Sequence, residues 1–412
     1  MVKKILLFLC IMPFVLSAQW FPNYIHSDNE SDFYVINADT IVSITGGGGR
    51  VYHSYDGGNS WLPYQTIFNG SWFTDIDFPS SNVGYACGGT AFGPYSNVII
   101  KTEDSGLTWD SLTANNFSGM SLTNIAFVDN EVGLVSGEVG LMLRTTDGGA
   151  SFQSFSLPNN ETVSSIKVIQ DSVFLVGASK SIGVDSLEFL IYKSLDLGNS
   201  WQAKWSTVLG SVNGIYHKAV NDFMFVNDQD GFAVGGNGLF LSTADGGENW
   251  TENYISPYTN LSTIYAQSNN KLFTNIAGGI FLSENGGNSW QPQNIILPAI
   301  VSKVVFANDS IGYLLAGNNM YKTVNGGVFL KVSELTDKKF EIYPNPTNNS
   351  LNIKVEGNID IRKIQLYSAN GKLIKEFKTN KLNLDVSQVV SGNYFLTLTI
   401  ENRVYTKQIV IN

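Results

Sequence analysis

Cysteine is almost missing from this chain: of 412 residues only Cys10 and Cys87 carry a thiol. Cys10 lies in MVKKILLFLCIMPFVLSAQ, where two lysines precede an apolar run and small residues follow at Ser17 and Ala18, the layout of a secretory signal peptide over residues 1–18. Removal of that leader leaves Cys87 alone, which excludes an intramolecular disulfide and places the burden of stability on packing. Histidine is scarce as well, with His26, His53 and His217 the full set, so a nucleophile–histidine triad has little to draw on. Long apolar runs are lacking: Ile5 to Leu16 falls short of the roughly 20 residues a span needs, and no transmembrane span is expected in the mature chain. Positive charge is short in the body, since residues 19–333 hold 12 Lys and Arg against 27 Asp and Glu, while residues 334–412 hold 11 against 8. An acidic body repels phosphate backbones, which argues against nucleic acid as a partner.

What is present is turn-forming and apolar. Forty glycines against eleven prolines point to tight turns between short strands and very little helix, and 43% hydrophobic content is ample for a packed core. The stretch SYDGGNSW (Ser54 to Trp61) returns as TEDSGLTW, TTDGGASF, SLDLGNSW, TADGGENW, SENGGNSW and, decayed, TVNGGVFL (Thr323 to Leu330). The copies recur about every 45 residues, the length of four short strands with turns, which is one propeller blade. An apolar run precedes each copy and an extended stretch follows it, so the copy is the turn between two antiparallel strands. Upstream, Phe78 to Gly84, Phe127 to Gly133, Phe225 to Gly231 and Phe306 to Gly312 mark another hairpin in the same unit. Within the eight-residue turn, Asp accepts backbone N–H groups, Gly permits left-handed angles, Ser or Thr ties the entering strand, and the aromatic fills the seam.

This turn resembles the Asp box of BNR-type β-propellers, and together with the Phe-x5-Gly hairpin it is similar to the photosystem II assembly and stability factor family. The resemblance implies an all-β fold, a seven-bladed β-propeller over residues 19–333. It also implies structural roles at the periphery for Asp56, Asp104, Asp147, Asp196, Asp245, Asn285 and Asn325. Because TVNGGVFL has lost its aromatic and little strand follows it, the N-terminal stretch QWFPNYIH is expected to complete the last blade, with Trp20 in the empty seam.

After Val332 the repeat stops, and alternating runs such as KIQLYS, GNYFLTLTI and VYTKQIVIN predict a small all-β sandwich over residues 334–412. The segment resembles the type A C-terminal sorting domain of the type IX secretion system, through Tyr343, Pro344, Asn345 and Pro346, the Asn370–Gly371–Lys372 turn, Gly392, Tyr394 and Lys407. Such a domain is a small immunoglobulin-like β-sandwich. The resemblance implies contact with the type IX machinery and delivery through the periplasm to the outer-membrane surface or the medium.

Enzyme chemistry finds little support. A sialidase-like site needs three arginines and residues 19–333 hold only Arg50 and Arg144. A glycoside hydrolase acting through paired carboxylates is the alternative, with many acids but no distinguishing motif. The acidic stretch NDQDG (Asn227 to Gly231) departs from a calcium loop, so a solvated turn is the main reading there and at DNESD, calcium the lesser one; no metal or cofactor is expected. The remaining reading is a non-catalytic propeller that binds an unknown protein or glycan on the face opposite the Asp boxes. Irregular inserts (TAFGPYSN, ASKSIGVDSLEF) gather there, and Trp72, Phe117, Tyr216, His217 and Tyr258 are the candidate ligand-binding residues.

Overall fold

Alternation of apolar residues within each repeat gives short strands with one face for each neighbouring sheet, and this pattern governs the computed structural model. It describes residues 20–412 except 24–29, 65–69, 91–96, 113–119, 184–185, 211–219, 257–258, 294, 296, 298, 328–339, 356–360, 369–371, 380 and 401–402. The leader expected at residues 1–18, and Phe117, Tyr216, His217, Tyr258 and Gly371, lie outside the described residues. The chain divides into two compact units, Trp20–Gly327 and one containing Val328–Asn412.

The first unit holds seven four-stranded antiparallel sheets, six of them built from contiguous sequence in simple up-and-down order. The strand that begins each sheet (Glu30–Val35, Ser71–Asp77, Leu122–Phe127, Thr162–Ile169, Val220–Phe225, Ile264–Ala266, Val301–Phe306) neighbours the corresponding strand of the next sheet, and the last of these neighbours the first. Apolar layers fill the seams between sheets; in one of them Tyr85, Cys87, Ile99, Ile125, Val135 and Leu143 pack together. Cys87 is fully buried, and that burial, followed by the charge of Asp75, pushes its thiol pKa well up.

The seventh sheet draws on both ends of the unit. Its order is Phe21–Asn23, Asn319–Thr323, Gly312–Ala316, Val301–Phe306, with Pro22 opposite Tyr321. Trp20 is buried, meets Phe306 edge-to-face at 5.7 Å, and lies over Gly327 as Trp61 lies over Gly58 and Trp250 over Gly247. It therefore fills the seam for which the seventh copy has no aromatic of its own.

The seven eight-residue turns share one hydrogen-bond pattern. The Ser or Thr hydroxyl donates to Oδ1 of Asp56, Asp104, Asp147, Asp196, Asp245, Asn285 and Asn325 at 2.7–3.0 Å. The same hydroxyl accepts the N–H of the glycine four residues on, at 2.7–3.1 Å. Hydrogen bonds from the fourth residue beyond hold Asp196 and Asp245 down at a pKa of about 2. The turn forces left-handed backbone even where glycine is lacking: Ser105 and Leu197 sit at φ 64° and 58°.

A second ladder joins successive turns. The residue before the Ser or Thr reaches the carbonyl just after Asp in the next sheet: Arg144 Nε donates to Leu197 O (2.7 Å), Lys193 Nζ to Gly246 O (2.8 Å) and Lys322 Nζ to Gly57 O (3.0 Å). His53 Nε2 meets Ser105 O at 3.0 Å in the same way. Burial lowers the His53 pKa, outweighing the Ser105 carbonyl and Asp104, which act to raise it. A depressed histidine leaves the unfolded chain binding more protons below its ordinary value of about 6.5, so its contribution to stability is full above that pH and lost as pH falls. Denaturant midpoints measured from pH 8 to 5 should therefore decline more steeply in the natural protein than in His53→Gln; parallel curves would remove His53 as the cause.

The insert ASKSIGVDSLEF, irregular by sequence, is chiefly strand. Val173–Gly183 pairs with Ser186–Ser194, and Ser186–Ser194 in turn with Gln202–Gly210, so this sheet is longer than its neighbours, with Lys180 and Glu188 in an ion pair at 2.9 Å.

In the second unit, a three-stranded sheet (Phe340–Tyr343, Ser350–Val355, Asn383–Asp385) and a four-stranded sheet (Leu373–Phe377, Ile361–Ser368, Gly392–Ile400, Arg403–Ile411) share one apolar core. Asn345 clamps the last strand with both side-chain atoms: Nδ2 donates to Gln408 O and Oδ1 accepts Val410 N–H, each at 2.8 Å. The Tyr394 hydroxyl donates to Val390 O at 2.6 Å, Gly392 stands opposite Ile411, and Lys407 opposite Leu396. Tyr343 and its neighbours Pro344 and Pro346 are exposed, and the Lys372 N–H donates to Ser368 Oγ at 3.2 Å.

Candidate functional site

The first strands of the seven sheets converge on a cavity of about 390 Å³. A one-residue irregularity interrupts six of these strands, and the residue that resumes pairing is polar in each: Asp32, Asp75, Asn124, Ser165, Asp222 and Lys303. Thr263 holds the same place in the sixth sheet, its N–H directed at Asn275 Oδ1. Two residues further along, Tyr34, Asp77, Lys167 and Tyr265 also line the cavity.

These polar groups stitch neighbouring sheets together. Asp75 Oδ2 accepts Ile125 N–H and Asp77 Oδ2 accepts Phe127 N–H, both at 2.8 Å, and Asp222 Oδ2 accepts Ile264 N–H at 2.9 Å and the Thr263 hydroxyl at 3.1 Å. Lys303 Nζ lies 2.6 Å from Asp32 Oδ1. Burial pushes the pKa of Asp75 well up, with the Asp32 charge adding to it, and burial raises Asp77 and Asp222 also. Burial opposes the charge on Lys303, yet Asp32 and then Asp75 outweigh it and hold its pKa above the ordinary lysine value. Neutral Asn, Ser or Thr occupies the equivalent place in three sheets, so the carboxylate charge in the others is more than the stitching requires. Ionisable groups that cost stability and face a cavity make it the candidate functional site. Among the described residues no three His, Cys, Asp or Glu side chains converge closely enough to hold a metal ion.

Of the candidate ligand-binding residues, the structure describes Trp72 only: half-buried, opposite Gly89, with its ring against Gly89. The DNESD stretch contributes Asp32, bound to Lys303, and NDQDG forms a side-chain-capped turn in which Asn227 Oδ1 accepts the N–H groups of Gln229 and Asp230. The cavity residues were missed although a signal exists. Asp75, Asn124, Asp222 and Lys303 each stand three positions before the phenylalanine of the Phe-x5-Gly hairpin.

Residues 65–219 match the family described as photosynthesis system II assembly factor YCF48, and residues 341–412 match the secretion system C-terminal sorting domain. The photosystem II assembly lipoprotein Ycf48 of Synechococcus sp. (strain CC9902) is 24% identical over 233 residues, 54% of this chain and 62% of that protein, so the chain spans less than two thirds of this relative. A solved structure of YCF48 bound to a D1 peptide superposes with a TM-score of 0.56 at 16% identity, covering 74% of this chain and 95% of that one. PorZ, a surface component of the type IX secretion system of Porphyromonas gingivalis, gives 0.52 at 13% identity, covering 91% and 58%. At these identities the structural likeness speaks to the fold. No helix among the described residues is long and apolar enough to cross a membrane. The chain thus joins a β-propeller of Asp-box repeats, similar to that of the YCF48 assembly-factor family, to a type IX secretion C-terminal sorting domain that marks it for export to the cell surface or the medium.

Proposed function

We propose that the protein is an exported, non-catalytic binding module: a leader over residues 1–18, a seven-bladed propeller over residues 19–333 closed by its N-terminal strand, and an immunoglobulin-like sandwich over residues 334–412 that engages the type IX machinery. The propeller binds a protein or glycan partner. The observation that supports this most is the cavity, where charge beyond the needs of folding is held at a cost to stability. Glycoside hydrolysis fits less well. Asp75, Asp77 and Asp222 each accept a backbone N–H of the neighbouring sheet and Asp32 is taken up by Lys303, so no two carboxyl groups stand out as an acid and its partner.

A screen of glycans and secreted proteins against the mature chain tests the reading, and rapid release of sugar in the same assay would replace it with the hydrolase. Joint alanine replacement of Trp72, Tyr216 and Tyr258 should weaken the partner found while leaving the denaturation midpoint nearly unchanged. Trp109→Ala, by contrast, removes a buried ring that packs edge-to-face on Phe78 at 6.0 Å, and should cost about 3–5 kcal/mol. Comparable unfolding of the two variants would make those aromatics core residues.

A further inference from the structure

We infer that the cavity admits an organic cation, a guanidinium or ammonium group, with Asp77 and Asp222 as its anchors; this rests on the reading of the propeller as a binding module. Three carboxylates line the cavity, Asp75, Asp77 and Asp222, against two cations, Lys167 and Lys303. Lys303 is taken up by Asp32. Asp77 and Asp222 make no ion pair among the described residues, and their hydrogen bonds come from backbone N–H groups and the Thr263 hydroxyl. A carboxylate offers about four lone-pair sites, so both keep acceptor capacity toward the cavity. The negative excess selects against anions. The spread of the carboxylates round the ring does not give three ligands to a compact metal ion, whereas a group with several N–H donors can bridge separated acceptors. A volume of about 390 Å³ is near the lower end for ligand pockets, suited to one side chain or a small amine.

Isothermal titration of the mature chain with agmatine and with Nα-acetyl-lysine amide tests this, with glutarate and hexanamide as anionic and neutral controls. Binding of either cation, with none of the controls, is expected; absence of binding by both cations overturns the inference. Asp77→Asn and Asp222→Asn should each weaken binding about tenfold or more, the scale of a lost charge-assisted contact. Asparagine keeps one oxygen for the Phe127 or Ile264 N–H and removes a buried charge, but at Asp222 its NH2 meets the Phe223 N–H that Oδ1 accepts, so each variant is used only where its denaturation midpoint shows it folded. Unchanged affinity in a folded Asn variant overturns the assignment. Should either variant fail to fold, Lys167→Met decides: removal of the internal competitor should tighten binding several-fold, and weakening counts against the cation. Comparison of an arginine-containing peptide with agmatine then separates a partner's side chain from a free amine as the source. The triple aromatic variant leaves this titration intact, so failure here is distinct from failure of the outer-face reading.

Discussion

Removal of residues 19–26 is expected to lower the unfolding free energy by at least about 3–5 kcal/mol, the range for deleting one large buried aromatic. The deletion takes away more than Trp20. Phe21–Asn23 supplies the outermost strand of the seventh sheet, and the Asn23 side chain donates to Gly57 O of the first sheet at 3.1 Å. Loss of the strand exposes the Asn319–Thr323 edge to solvent and leaves Phe306, Phe273 and Gly327 facing a void. Urea denaturation of the mature and shortened chains, with Trp20→Ala alongside, measures the effect; the point variant should account for most of it. An unchanged midpoint in the shortened chain would show that the ring is held shut without this strand.

Removal of residues 334–412 is expected to abolish delivery to the surface or medium and to leave a folded propeller in the periplasm. The sorting match covers residues 341–412, and those strands form a unit with its own apolar core, from Ile342 through Ile411. Trp20–Gly327 is compact in itself and should survive the truncation. Cell fractionation with antibody to the propeller, together with protease resistance of the retained material, reads both halves of the expectation. Delivery at the normal level without the tail would remove its sorting role. A finer variant, Asn345→Ala, cuts both hydrogen bonds to the last strand and should reduce export less than the full truncation.

The Asp-box turn and its strands were legible in the sequence because their causes are local. Hydroxyl, carboxylate and glycine meet within eight residues, and Thr102, Asp104, Gly106 and Trp109 satisfy one another with no help from elsewhere. The cavity was harder to read since its parts lie in seven different repeats: Asp222 and Thr263, or Asp75 and Ile125, meet only when sheets stand side by side. Within a single repeat, the two aspartates before FPSSNVG, or the one before FMFVNDQDG, look like further solvated acids. Alignment of the repeats on their phenylalanines, in place of the Asp boxes, would have exposed the polar column. ASKSIGVDSLEF hid its strands for a related reason. Gly183 and Asp185 make it irregular by sequence, whereas the pairing of Ala178 with Leu190 and Lys180 with Glu188 carries the strands onward.

The pairing of Pro22 with Tyr321 also sets an order of events in time. Six sheets consist of contiguous sequence and can assemble as soon as their own residues are free, since each needs only short loops to close. The seventh joins residues almost three hundred positions apart, a contact of high order that is slow to form because it is entropically costly until the intervening chain is organised. Locking of the ring is therefore the final folding event, and a chain emerging N-terminus first stays an open arc, its first and last edges unpaired, until Asn319–Thr323 is released. Any factor that holds the first residues during transit delays that event and keeps the arc open.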